Sequence, residues 1–117
     1  MSVKHSHDIP GTPVSAGKST IKQVLISSEE GPHFALRKFT IEPGGGMPLH
    51  TNTVEHEQYI VQGSAHIVIG DEAFDVKDGD IVLIPRGVQH SYDAYGEVPF
   101  VFLCVVPNEE DTITLVE

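Results

Sequence analysis

Apolar and polar residues alternate in short runs along most of this chain, cut by turn residues about every 8–12 positions. Residues 20–26 alternate weakly and predict a strand, and 27–32 a turn. Residues 33–41 predict a second strand, with Phe34 and Leu36 on one face and Arg37 and Phe39 on the other. The stretch Gly44-Gly45-Gly46-Met47-Pro48-Leu49 predicts a glycine- and proline-rich turn that delivers His50. Residues 55–62 read as a strand. Side chains on a strand repeat with period two, so an inward His56 brings Gln58 and Ile60 with it and leaves Tyr59 and Val61 outside. Further strands are predicted at 65–69, 73–76, 81–84, 90–93, 100–106 and 113–116, punctuated by Gly63, Gly70-Asp71, Lys77-Asp78-Gly79 and Pro85-Arg86-Gly87. The run 81–84 is apolar throughout, as in a buried strand.

No segment carries a long helical period, so the expected class is all-β, a sandwich or barrel. Residues 1–18 are polar and hold Pro10, Gly11, Pro13 and Gly17. They predict an irregular arm with room for one strand, ahead of a single domain at 19–117. The His5-x-His7 pair falls in this arm and reads as exposed.

Charge and cysteine content narrow the function classes. A net charge of -10 argues against nucleic acid or an anionic membrane as partner, since both need basic patches. The single Cys104 allows no internal disulfide, and a reducing compartment fits. No apolar run approaches the roughly 20 residues of a membrane span, and no secretory h-region opens the chain. The default expectation is a cytoplasmic protein.

Seven histidines change the picture more. Three sit in matching punctuation. One segment reads Gly44-x5-His50-x-Asn52-x3-His56-x6-Gly63, and a second reads Gly79-x5-Pro85-x-Gly87-x2-His90-x3-Ala94. Residues 64–78 separate them. This pair resembles the two-motif signature of the cupin superfamily, over roughly residues 33–107. Within it the chain is most similar to small manganese cupins with a four-histidine site, where a histidine replaces the first motif's usual glutamate, as His56 does here. The runs Phe39-Thr40-Ile41-Glu42-Pro43-Gly44-Gly45, Glu55-His56-Glu57 and Phe102-Leu103-Cys104 resemble that group too.

The resemblance implies a double-stranded β-helix (jelly-roll) barrel of two antiparallel sheets with a metal in its mouth. Its ligands would be His50, His56 and His90. Neutral imidazole suits Mn, Fe, Ni, Cu and Zn, and the resemblance favours Mn or Fe. The chain departs from the four-histidine pattern at Asn52, which offers an amide oxygen as a weaker ligand or as a partner for bound water. Ala94 also departs, at the end of the second motif. A metal-free pocket in which the histidines bind a carboxylate or sugar is the alternative.

Around this set, Gln58 and Tyr92 each follow a ligand histidine by two residues. Two roles stay open for each: an inner polar group satisfied by its neighbours, or a group that orients water or substrate, with Tyr92 supplying a phenolic proton. Glu55 and Glu57 face away from the metal, though one of them could orient an imidazole. Arg86 falls at the surface or pocket rim. His33 reads as a surface residue and His66 as out of phase with the inward set. Cys104 reads as a small buried hydrophobe. The predicted inner wall comprises Ile60, Phe39, Ile67 and part of 100–106. Two functions are expected. One is an oxygenase-like enzyme on a small organic molecule, with a redox-neutral isomerase as variant. The other is a non-catalytic module binding a sugar or organic acid. Outer-face Tyr59, Val61 and Val101 need cover, which predicts a homodimer.

Overall fold

The computed structural model describes all 117 residues. After a single 3-10 turn at Ser6–Asp8, the chain forms ten strands: β1 (Thr12–Pro13), β2 (Lys18–Ile26), β3 (Phe34–Asn52), β4 (His56–Gln62), β5 (Ser64–Ile69), β6 (Glu72–Val76), β7 (Ile81–Ile84), β8 (His90–Tyr95), β9 (Phe100–Pro107) and β10 (Ile113–Leu115). Every pairing is antiparallel, in the path β6-β5-β8-β3-β9-β4-β7, with β2 and β10 also on β3 and β1 on β2. The result is the expected all-β jelly-roll barrel. No helix is long and apolar enough to cross a membrane.

The predicted turn ahead of His50 is absent. Residues Gly44 to Leu49 do not form a turn; they lie inside β3, a strand of 19 residues. The first half of β3 pairs with β9 through Phe34↔Pro107 to Ile41↔Phe100, and the second half with β8 through Gly46↔Asp93 and His50↔His90. The glycines re-aim the strand from one half of the barrel to the other instead of ending it. Gly44 has φ +88°, a conformation that disfavours any side chain. Gly46 is pressed against β8 so closely that a Cβ would lie 2.1 Å from the Tyr92 carbonyl oxygen. Composition alone reads such a run as a break, because glycine and proline mark both turns and bends.

The core follows the period-two pattern. Ile41, Ile60, Ile67 and Phe100 are fully buried, while Glu57, Tyr59 and Val61 alternate outward from β4. Val101 is the exception to the predicted outer face: it is buried, whereas Tyr59 and Val61 are exposed. In the N-terminal stretch, β1 pairs with β2 through Thr12↔Lys22 and Pro13↔Ile21. Gln23 Nε2 donates to the carbonyls of Ser6 and Ile9, both at 2.9 Å.

Candidate metal centre

Three strands carry the histidines to one end of the barrel. The second half of β3 supplies His50 and Asn52, β4 opens with His56 and Gln58, and β8 opens with His90 and Tyr92. All six are buried, and all six line one cavity of about 80 Å³. His50 and His90 are cross-strand partners with ring centroids 4.2 Å apart. The His56 ring lies 5.9 Å from that of His90.

Hydrogen bonding fixes how these rings present themselves. His50 Nδ1 is 2.7 Å from the Pro48 carbonyl oxygen, and His90 Nδ1 is 2.9 Å from that of Val88. A carbonyl only accepts, so each Nδ1 holds a proton and Nε2 is the ring nitrogen left to face a ligand. His56 Nδ1 has Cys104 Sγ at 3.6 Å. The Nε2 atoms of His56 and His90, Asn52 Oδ1 and Gln58 Oε1 are buried with no hydrogen-bond partner. Buried polar atoms are nearly always satisfied, so four orphans at one cavity point to something that binds there.

Burial, assisted by the positive charge of Arg37 and the neighbouring imidazoles, pushes His56 from 6.5 down to about 3. Burial and the His50 charge push His90 to about 4, against a partly opposing Val88 hydrogen bond. Both rings are therefore neutral at neutral pH, the form that binds a metal. Tyr92 accepts a hydrogen bond from Gln58 Nε2 at 2.7 Å. Burial drives its phenol pKa upward, so the hydroxyl keeps its proton. Phe102 stacks between Phe39 at 5.0 Å and Tyr92 at 5.3 Å, giving the cavity an aromatic wall with Met47 beside it.

The donor set fits a divalent transition metal in type: three imidazoles, of which His56 and His90 are neutral with buried, unpartnered Nε2 atoms, and one amide oxygen. As the side chains stand, no three His, Cys, Asp or Glu donors are gathered around one point closely enough to hold an ion. The fit is therefore one of donor chemistry and cavity position.

The remaining candidates fall outside the cavity. Arg86 is exposed and lines an outer groove with Glu55 and Glu57. His66 is exposed, paired with Asp75 and stacked on Tyr95 at 4.4 Å. His33, His5 and His7 are exposed. Of the predicted inner wall, Phe39 and Phe102 line the cavity, while Ile60 and Ile67 belong to the hydrophobic core and are not among the lining residues. Sequence reasoning passed over Lys22, Arg37 and Asp111. The first two line the cavity. Asp111 accepts from Asn52 Nδ2 at 3.0 Å and from Thr53 N at 2.8 Å. A signal existed for Arg37, which alternation places on the face of Phe39. None existed for Asp111, 59 residues from Asn52.

A ten-stranded antiparallel barrel with a cavity lined by histidines from two spaced motifs defines a class of small β-barrel proteins. This chain belongs to the cupin family: the Cupin domain matches residues 37–106. It is 33% identical over 94 residues to 1-methylthio-D-xylulose 5-phosphate methylsulfurylase of Rhodospirillum rubrum, covering 80% of this chain and 60% of that protein. It thus spans under two thirds of that relative's length. Over 56 residues it is 36% identical to an acireductone dioxygenase of Granulibacter bethesdensis, covering 44% of this chain and 31% of that protein. Among solved structures, the polyketide cyclase RemF from Streptomyces resistomycificus superposes with a TM-score of 0.91 at 30% identity, covering 100% of this chain and 86% of that one.

Proposed function

We propose that this cupin holds a divalent transition metal, manganese or iron ahead of nickel, copper or zinc, through His50, His56 and His90. Asn52 Oδ1 stands beside it as a weak ligand or as an anchor for bound water. The reaction is oxidative conversion of a small organic molecule. The observation that carries this reading is the pair of buried, unpartnered Nε2 atoms on His56 and His90, with the Nδ1 proton of His90 held on a carbonyl. The metal would act as a Lewis acid and redox centre with open positions for substrate.

The chain's own groups do the rest. Phe39, Met47 and Phe102 exclude water from the reacting groups. Tyr92 accepts from Gln58, so its own hydroxyl proton is free for a ligand oxygen. Gln58 Oε1 is free to accept from a substrate hydroxyl or water. The resemblance to an acireductone dioxygenase supports oxygen chemistry. The likeness to a polyketide cyclase favours a second reading, a redox-neutral conversion at the same cavity. We further propose a homodimer built on the exposed apolar face of β4 and β7, where Tyr59, Ile81 and Leu83 lie.

The test is elemental analysis of the purified protein, followed by oxygen uptake with 1,2-diketones, phenols and alkenes after addition of Mn(II) or Fe(II). Metal uptake with oxygen consumption is expected. Metal uptake with substrate conversion but no oxygen consumption selects the redox-neutral reading. A protein that takes up no metal is a binding module.

A further inference from the structure

The chain carries 17 acidic residues against 7 Lys and Arg. Two of those 7 cations, Lys22 and Arg37, line the small histidine cavity, and no carboxylate lines it with them. The ion pairs of the protein are Lys4–Glu30 and His66–Asp75, so neither cavity cation has an anionic partner. Arg37 Nε is buried with no hydrogen bond at all. Its Nη2 meets only Cys104 Sγ at 3.6 Å, a weak acceptor. The guanidinium carbon lies 5.3 Å from the centre of the Phe39 ring, which holds the plane of the group without neutralising it.

An unpaired buried cation is one of the least favourable arrangements a fold can keep. Here the Nε of half-buried Arg37 is enclosed without a partner, and half-buried Lys22 lies close enough that Arg37, after burial itself, lowers its pKa. Asp111, whose charge partly opposes that lowering, has both carboxylate oxygens engaged by Asn52 and Thr53. A fold that concentrates scarce positive charge beside a cavity and leaves it unpaired is complementary to a negatively charged ligand.

We propose that Arg37 and Lys22 form an anion subsite in the cavity wall, and that the small molecule this cupin takes carries a carboxylate. This rests on the reading of the histidine cavity as the reaction site and names its substrate class. The planar guanidinium matches a carboxylate through two parallel hydrogen bonds, and Lys22 adds a point charge. Arg37 is the cross-strand partner of Cys104, and Cys104 Sγ touches His56 Nδ1. A carboxylate held on Arg37 therefore extends its remaining atoms along the imidazoles. The cavity of about 80 Å³ has room for a handful of water-sized groups, each taking roughly 10–15 Å³ on this measure. That suits a short-chain acid and excludes a sugar phosphate from full enclosure.

The test is calorimetric titration of the full chain, metal-loaded and metal-stripped, with pyruvate and oxalate. Oxamide and pyruvamide serve as neutral controls and inorganic phosphate as the competing anion. Saturable binding of the carboxylates and not of the amides is expected. Arg37→Gln should weaken it roughly 10- to 100-fold at unchanged metal content, with Lys22→Gln losing less. Should Arg37→Gln fail to fold by circular dichroism, Arg37→Lys keeps the charge, loses the fork, and is expected to weaken binding measurably. Equal affinity in the Arg37 variants overturns the proposal, as does equal binding of the neutral amides or no binding of either carboxylate. Phosphate binding tighter than both carboxylates overturns the carboxylate assignment. A chain that binds carboxylate through Arg37 but takes up no metal upholds the subsite and refutes the metal reading. A chain that takes up metal and ignores Arg37→Gln refutes the subsite alone.

Discussion

Asn52 and Asp111 are joined side chain to side chain, Asn52 Nδ2 donating to Asp111 Oδ2 at 3.0 Å. A carboxylate only accepts, so the contact fixes which end of the amide is which. The nitrogen faces Asp111, and the oxygen is left buried without a partner. The segment just before β10 thus sets the orientation of the residue at which this cupin leaves the four-histidine pattern.

Loosening that contact should weaken the metal site without touching a histidine. Asp111→Ala is expected to lower metal affinity by roughly 10- to 100-fold, as for other residues that orient a ligand, read by competition with a chromophoric chelator. Asn52→Ala should lose as much, and the double variant no more than either. Wild-type affinity in Asp111→Ala would show that the amide orientation is irrelevant to the metal.

Each histidine should matter to metal content in its own right. His50→Ala, His56→Ala and His90→Ala are each expected to purify with little or no metal. Each should also lose the thermal stabilisation that excess Mn(II) is expected to give the wild type, because a ligand bound only to the folded state raises its stability by mass action. Unchanged metal content in all three would remove them as ligands.

The same burial makes the metal-free protein acid-sensitive. The unfolded chain takes up protons at His56 and His90 as pH falls through 6.5, whereas the folded chain resists until about 3 and about 4. Stability from these rings is complete above pH 6.5, declines as pH falls below it, and is spent once the folded-state values are passed. Each ring contributes on the order of 3–5 kcal/mol across that window. Urea midpoints at pH 7 and pH 5 should show the loss in the stripped wild type. His90→Gln should show a flatter profile, and an identical slope in both would remove His90 as a source.

Much of this architecture is legible from the chain. Strand positions from β4 to β9 follow from alternation and turn residues, and the histidines from the spacing of two motifs. Two kinds of information are not local. Gly44 to Leu49 carries the composition of a turn, yet cross-strand partners on β8 and β2 hold it in register. Arg37 and Phe39 share a face by alternation, but which face looks inward depends on β9 and β2 packing beside them. Asp111 is beyond any sequence rule, since its role arises only when β10 returns to pair with Thr51 and Asn52.

The bend in β3 makes a sharp stability prediction. A Cβ on residue 46 would stand 2.1 Å from the Tyr92 carbonyl oxygen, which is backbone and cannot swing away. Gly46→Ala should destabilise the protein by about 3 kcal/mol or more, the upper range for overpacking, read by urea denaturation. It should also reduce metal binding, because the β3–β8 contact it pushes apart carries His50 and His90. Gly79→Ala is a fit comparison: its φ is +88°, but nothing lies within 4 Å of its Cβ. It should lose only about 1–2 kcal/mol.

The outer face of β4 and β7 leads to a prediction about assembly. Tyr59 is the cross-strand partner of Ile81, and Glu57 of Leu83. Ile81 is 82% exposed, Leu83 55% and Tyr59 49%, which sets three large apolar side chains side by side on a sheet surface. Contiguous apolar surface of this kind marks an interaction site, and in the proposed homodimer a second copy of the chain would cover it by packing sheet on sheet. Wild-type protein is expected to scatter light as a dimer at micromolar concentration. Leu83→Lys should place an uncompensated charge in the centre of that contact and give a monomer of unchanged circular dichroism and metal content, since Leu83 points away from the cavity. A wild-type monomer, or a dimer indifferent to Leu83→Lys and Ile81→Lys alike, would show that this face is not where the copies meet.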